Sequence, residues 1–208
     1  MTVMEGPRSA GLISRVQGIL LKPSAEWDVI DGEAATVPGL FTGYACILAA
    51  IGPVATVIQH LLFLHWTLPI IIVLAVLTYV MSLVGVYIVG FIIDALAPSF
   101  DAQKNQIQAM KLAVYSYTAA WVAGILNILP ILGILAIIAA LYGLYIFWLG
   151  LPKLMKAPAE KATGYAVVTV IIAIVVNAVI GMVVAAVIAS LMAGAIMSGA
   201  AMGAAAFH

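Results

Sequence analysis

The stretch from Lys111 to Lys153 constrains the fold more than any other part of the chain. It reads KLAVYSYTAAWVAGILNILPILGILAIIAALYGLYIFWLGLPK, with no charged residue between the two lysines. A helix needs about 20 apolar residues to cross about 30 Å of hydrocarbon, so this stretch suffices for two crossings. Pro130 cannot donate a backbone hydrogen bond and disfavours helix at the residue before it. Together with Asn127, three residues earlier, it predicts a turn. The sequence therefore predicts a helical hairpin whose two ends return to one side of a membrane.

The composition extends this conclusion to the whole chain. Of the 208 residues, 66% are hydrophobic and only 8% are charged, and the mean hydropathy is +1.25. A soluble domain of this composition would have too little polar surface to face water. We therefore predict an all-α polytopic integral membrane protein surrounded by the lipid bilayer. Eight basic residues balance eight acidic ones, so no excess positive charge points to nucleic acid as a partner.

Five apolar segments predict a bundle of five transmembrane helices. The predicted spans cover about residues 39–63, 68–93, 112–129, 131–150 and 164–193. They form a transmembrane domain, residues 39–193, between a short cytosolic or interfacial N-terminal region, residues 1–38, and a small-residue tail, residues 194–208. The last span would measure about 45 Å as a helix, which exceeds the bilayer core. We expect it to tilt, to bend near Gly181 or to project beyond the bilayer.

The N-terminal region is predicted to begin with an amphipathic helix. Residues 9–21 place five apolar side chains at helical spacing, with Ser14, Arg15 and Gln17 on the other face. This pattern is typical of a helix that lies in the membrane interface with its basic residues among the lipid head groups. The alternative is a helix packed on another cytosolic segment.

A second short helix is predicted over AEWDVIDGE, residues 25–33, with Ser24 as its N-cap. Trp27 and Ile30 are three residues apart and share its buried face. Asp28 and Asp31 share another face of this helix, and Glu33 follows them in the sequence. Their spacing does not match an EF-hand loop, so we predict a solvated acidic face rather than a cation site.

Few polar side chains fall inside the predicted spans, and these are the candidate site residues. Asn177 lies deep in the fifth span, while Asp94, Asn127 and Tyr115 lie nearer the ends of theirs. A polar group at depth marks a transport path or forms a hydrogen bond between helices, and both interpretations remain open for Asn177.

Small residues recur every four positions along the fifth span. This packing stripe includes Gly181, Ala185 and Ala189. Because small residues let helix backbones approach closely in lipid, the stripe predicts contact with another helix of the same subunit or of a second copy.

The sequence contains no motif for catalysis or for a cofactor. HExxH, GxSxG, a Walker loop and paired intramembrane aspartates are all absent from it. Cys46 is the only cysteine, which excludes an intrachain disulfide and a cysteine cluster for metal. His60 and His65 would project about 140° apart on a regular helix and so would not share a metal ion. We predict no enzyme, no metal site and no cofactor.

The distribution of charge predicts the orientation. All eight Lys and Arg lie in the N-terminal region or in the loops 94–111 and 151–163, which five spans place on one side. The positive-inside rule then predicts a cytoplasmic amino terminus and a carboxyl terminus outside.

Three motifs in a fixed order resemble the Yip family of multispanning membrane proteins, named for interaction with Ypt/Rab GTPases, and its bacterial members in particular. They are KPSAEW before an acidic stretch, AMKLAVYSYTAAWVAGILNILPILG, and LYGLYIFWLGLPKLM followed by KATGY; the likeness covers about residues 12–175. It implies a five-span bundle with a cytosolic amino terminus, here in a bacterial inner membrane. Eukaryotic members would imply Rab binding, but Tyr142-Gly143-Leu144 lacks the proline of their tyrosine-glycine-proline signature.

Two functions follow as hypotheses. The leading one is a non-enzymatic membrane scaffold that forms homo-oligomers through small-residue helix faces and contacts the cytoplasmic leaflet through its interfacial helix. The alternative is a transporter or channel for a small solute or a lipid, with polar groups near Asn177 and Asp94.

Overall fold

The computed structural model describes residues 11–64 and 68–205, and within them the chain folds as an all-α polytopic membrane protein. Five helical segments of this part are long and apolar enough to cross a bilayer: Val37–Phe63, Leu68–Phe100, Gln106–Ile128, Ile134–Met155 and Ala159–Gly194. The fold class predicted from the sequence is therefore confirmed. His65 and the last three residues of the predicted tail lie outside the described ranges.

We number the helices in chain order. They are α1 (Leu12–Leu21), α2 (Pro23–Gly32), α3 (Val37–Phe63), α4 (Leu68–Leu96), α5 (Gln106–Ile128), α6 (Gly133–Met155) and α7 (Ala159–Ala205). Helices α1 and α2 pack against the start of α5 and the end of α6, and we call this end of the bundle the charged end.

Helices α5 and α6 form the predicted hairpin. The last turns of α5, Gly124–Ile128, tighten into a 3₁₀ helix, and a second 3₁₀ turn follows at Pro130–Leu132. Leu129 between them is extended, with φ −112° and ψ 114°. A residue before proline is disfavoured in the helical region, which explains why the chain turns at this point.

Helix α5 is the centre of the bundle. In the most apolar 18 residues of this span 67% of the residues are buried, against 28% or less in the corresponding stretches of the other four spans. Glycines permit the close approach of its neighbours. A Cβ on Gly124 would lie 2.9 Å from the Cα of Gly52 in α3, and a Cβ on Gly90 in α4 would lie 2.5 Å from the Sδ of Met110. Gly52, Gly90 and Gly124 thus act as packing positions at which two helices approach closely.

Helix α2 presents its predicted apolar face to the bundle. Trp27 and Ile30 are 1% and 0% exposed, which confirms their shared buried face. The prediction for Ser24 is wrong, because α2 begins at Pro23 and makes no side-chain cap. Proline suits the first helical position, where its missing N–H leaves no bond unmade. The carbonyl and hydroxyl oxygens of Ser24 instead accept hydrogen bonds of 2.6 and 3.0 Å from Lys153 Nζ.

Helix α7 divides into a packed part and an unpacked part. Near its start, the Tyr165 hydroxyl donates to the Ile93 carbonyl of α4, and its ring stacks on Phe100 with centroids 5.0 Å apart. Thr169 is the last buried residue of α7 among those described, and from Val170 to Gly194 none of the side chains is buried. The helix continues through Gly181 to Ala205, and its full length is about 70 Å. It therefore exceeds the thickness of a bilayer core without ending at Gly181.

Candidate functional site

Arg15 is the centre of a buried ionic cluster at the charged end. It is only 3% exposed. Its Nη1 lies 2.5 Å from Glu26 Oε1, and its Nη2 pairs with Glu33. The guanidinium also lies over the Tyr115 ring, 5.6 Å from the centroid. The expectation that Arg15 points to lipid head groups is wrong, because two carboxylates compensate its charge inside the protein.

The cluster keeps Arg15 charged. Burial alone would lower its pKa, but the hydrogen bond and charge of Glu33 and the charge of Glu26 raise the pKa of Arg15 above its ordinary value. A basic group whose pKa is raised on folding stabilises the protein fully below its unfolded pKa and loses this effect only as pH rises through the folded pKa. That window is strongly alkaline for arginine. This contribution is therefore constant across physiological pH.

Lys111 joins α2 to α5. Although the sequence suggests a boundary residue of the hairpin, Lys111 lies inside α5 and is 2% exposed. Its Nζ donates to the carbonyl oxygens of Ile30 at 2.8 Å and of Glu33 at 2.5 Å. Carbonyls at a helix C-terminus lack partners in the helix and carry partial negative charge. Lys111 therefore supplies the cation that the end of α2 requires.

The acidic face of α2 binds basic residues at the end of α6. Asp28 lies 2.7 Å from Lys153, and Asp31 lies 2.5 Å from Lys156. Gln108 of α5 donates to Asp31 at 3.0 Å. Asp28 remains 67% exposed, as a solvated face predicts, whereas Asp31 and Glu33 are 31% and 11% exposed. All three carboxylates form ion pairs within the chain. In residues 11–64 and 68–205, no three His, Cys, Asp or Glu side chains come together as a metal site.

Tyr115 belongs to an aromatic layer beneath this ionic cluster. Its ring meets Tyr44 edge-on at 4.8 Å and Trp27 at 6.3 Å. The hydroxyl of Tyr44 is 2.8 Å from Thr118 Oγ1. Edge-to-face pairs of this kind stabilise packing beyond the area they bury. Tyr115 therefore lies where the N-terminal region is anchored to the bundle.

A cleft of about 350 Å³ lies between α5, α6 and α7 inside the membrane-spanning part. Small residues line it, among them Ala120, Ala140 and Gly143. Asn177 borders it and donates to the Tyr117 hydroxyl at 3.1 Å and to the Ala173 carbonyl at 2.7 Å. Asn177 thus makes a hydrogen bond between helices and also borders a cavity, so both interpretations of this residue stay open.

The remaining predicted positions lie elsewhere. Asp94 is 8% exposed at the end of α4, and its Oδ1 has no hydrogen-bond partner in the described parts of the chain. Asn127 lies in the 3₁₀ turn at the opposite end of the bundle. Gly181, Ala185 and Ala189 are exposed on α7. The structure therefore does not gather these residues and Asn177 into one site.

Sequence reasoning missed Arg15 and Lys111 because it treated charged residues as markers of exposure. A signal for Arg15 existed, since Ile19 lies four residues further on and shares its helix face. Ile19 is 1% exposed. Nothing local identifies Lys111, whose acceptors are 78 and 81 residues away.

Five apolar helices with their ionic groups collected at one end define a multispanning α-helical membrane protein. A family model described as the Yip1 domain matches residues 18–180. The chain therefore belongs to the Yip1-domain family, as its motifs suggest. Neither the curated proteins nor the solved structures compared with it gave a match. The matched region ends at Ile180, just before Gly181.

Proposed function

We propose that this Yip1-domain protein is a non-enzymatic membrane scaffold that forms homo-oligomers through the outer part of α7. The observation that carries the proposal is the unpacked stretch from Gly181 to Gly194, in which no side chain is buried. A Cβ on Gly181 would meet no atom within 4 Å. This small-residue face is open to an approaching helix.

A second copy of the chain is the partner that best fits this face. Gly181, Ala185 and Ala189 repeat every four residues, which is the spacing at which transmembrane helices pack with their backbones in close contact. Lipid covers an isolated apolar helix as well as another helix would, so association depends on such close packing rather than on hydrophobicity. A second copy presents the same stripe and allows a two-fold symmetric contact.

The other part of the proposed scaffold is contact with the cytoplasmic leaflet through α1. Ile13 and Leu21 of α1 are 72% and 76% exposed, while Arg15 is committed to Glu26 and Glu33. Apolar side chains would therefore make the contact with the membrane surface. The concentration of basic residues at the charged end supports a cytoplasmic amino terminus and an external carboxyl terminus. Location in a bacterial inner membrane is part of the proposal and is based on the resemblance to bacterial members of the family.

Replacing Gly181 and Ala185 together by leucine tests the oligomer. Two added side chains would separate the helices, so we expect self-association in liposomes to weaken about tenfold. Energy transfer between separately labelled copies, measured against the lipid-to-protein ratio, gives the equilibrium. The matched control is Val183→Leu with Val187→Leu, on the opposite face of α7. Equal association of the two variants and the parent chain would contradict this proposal.

The second candidate function is transport of a small solute or a lipid. Its support is the position of Asn177 at the cleft, since polar groups deep in a span often border a permeation path. Flux into proteoliposomes that Asn177→Leu abolishes, in a variant that still self-associates, would favour transport over the scaffold.

A further inference from the structure

We propose that the cleft between α5, α6 and α7 binds the ester region of a glycerolipid that enters laterally from the bilayer. This inference goes beyond the scaffold function and does not depend on it. It rests on two buried hydroxyls, on the lining of the cleft and on its depth.

Two hydroxyl groups in the cleft have no hydrogen-bond partner among the described residues. Ser116 of α5 is 7% exposed and Thr169 of α7 is 1% exposed, and both line the cleft. Neither Ser116 Oγ nor Thr169 Oγ1 has a partner within residues 11–64 and 68–205. A hydroxyl buried without a partner is unfavourable, especially in hydrocarbon where water cannot compensate.

Two threonine hydroxyls elsewhere in the spans donate to carbonyls of their own helices. Thr56 donates to the Gly52 carbonyl at 3.0 Å, and Thr78 donates to the Leu74 carbonyl at 2.8 Å, each one turn back along its own helix. This local bond is the usual solution for serine and threonine in a helix. Ser116 and Thr169 depart from it in the same cleft, so both hydroxyls are available as donors to a bound acceptor.

The lining selects a neutral ligand with apolar chains. Among the residues that the structure describes, no Lys, Arg, Asp or Glu lines the cleft, and most of the described wall is apolar. A phosphate group would require cationic partners. An ester carbonyl requires only a donor, which a hydroxyl provides. Leu144 and Ile174 at the rim are 41% and 61% exposed, so the cleft opens toward the surrounding lipid.

The depth of the hydroxyls suits the glycerol esters of a lipid. Ser116 follows Lys111 by five residues in α5, or about 7.5 Å along the helix axis. The interfacial layer on each side of the hydrocarbon is about 5 to 8 Å thick. If the ionic groups lie at head-group level, Ser116 lies near the boundary where ester carbonyls meet the acyl chains.

The test uses the full chain in phospholipid vesicles that contain a phospholipid with a photoreactive diazirine on the first carbons of one acyl chain. Peptide mass analysis locates the label. We expect labelling near Leu144 and Ile174 to exceed labelling near Ile72, an exposed residue outside the cleft, by about fivefold. Ala140→Phe, which fills the cleft, should remove this excess, whereas Ile171→Phe on the exposed surface of α7 should preserve it.

The hydroxyls are tested separately. Ser116→Ala with Thr169→Val should lower labelling near the cleft about fivefold, as loss of hydrogen bonding predicts. The control, Thr56→Val with Thr78→Val, removes hydroxyls that bond their own helices and should leave labelling unchanged. Uniform labelling of all exposed spans would overturn the proposal. So would labelling near the cleft that is reduced neither by Ala140→Phe nor by Ser116→Ala with Thr169→Val.

Water is the competing occupant. Ala173→Cys in a Cys46→Ala background should react with a water-soluble thiol reagent at least about a hundredfold more slowly than Ser99→Cys in the connecting segment, because hydrocarbon excludes the reagent. Equal rates would show a hydrated cleft and overturn lipid binding. The double variant Gly181→Leu, Ala185→Leu should retain lipid labelling near the cleft. Failure of the proposed self-association is therefore distinguishable from failure of the proposed lipid site.

Discussion

Replacing Arg15 by methionine is expected to lower the free energy of unfolding by about 3 to 5 kcal/mol. The substitution removes the cation from two carboxylates, Glu26 and Glu33, whose side chains are only 17% and 11% exposed. Breaking a buried ion pair from one side leaves an uncompensated charge, which costs far more than loss of a surface pair. Reversible unfolding of the purified chain in mixed micelles, followed by tryptophan fluorescence, measures the difference.

Lys161→Met is the matched control for Arg15→Met. It breaks the ion pair between Lys161 and Asp101, whose side chains are 43% and 64% exposed, respectively. The free energy of unfolding should therefore fall by less than about 1 kcal/mol. Adding Glu26→Gln and Glu33→Gln to Arg15→Met should recover part of the lost stability, since no unpaired charge then remains. Equal effects of Arg15→Met and Lys161→Met would show that the cluster does not fasten α1 and α2.

Trp27→Ala is expected to destabilise the protein by about 3 to 5 kcal/mol. Trp27 is 1% exposed, and its Nε1 donates to the Ile146 carbonyl of α6 at 3.0 Å. Its ring fits against Gly150, where an added Cβ would come within 2.5 Å of it. Removing the indole would therefore leave a cavity between the N-terminal region and the bundle. Thermal unfolding, together with proteolysis at residues 33–36, reports the loss of docking.

Trp148→Ala provides the comparison, because Trp148 lies on α6, the helix that Trp27 contacts, but is 49% exposed. Its removal should change stability by less than about 1 kcal/mol. If the two alanine variants unfolded alike and resisted protease alike, Trp27 would not hold α2 against α6.

The spans could be predicted because hydrophobicity and proline act locally. The length between Lys111 and Lys153 indicates two crossings, and Pro130 determines where the chain turns between them. Trp27 and Ile30 were also predictable, since their spacing places them on one face of a short helix. These features depend on neighbours in the sequence.

The two sites depend on partners that are distant in the sequence. Lys111 is buried only because α2 ends beside it, and no local pattern encodes that meeting. In the sequence, Ser116 is one of three small residues at four-residue spacing, with Ala120 and Gly124. Its hydroxyl has no hydrogen-bond partner among the described residues. This property depends on the position of α5 relative to α7, which the sequence near Ser116 does not encode. Asn177 was predictable as a polar group at depth, but the cleft beside it was not.

Thiol labelling in intact cells tests the central claim, which is that α7 carries the chain away from a cytoplasmic charged end. In a Cys46→Ala background, single cysteines replace Gly194 on α7 and Glu160 near its start. Since the intervening helix is about 50 Å long, the two positions should lie on opposite sides of the membrane. We expect an impermeant maleimide to label the cysteine at 194 in intact cells and the cysteine at 160 only after permeabilisation. Labelling of both, or of neither, before permeabilisation would contradict the five-span arrangement.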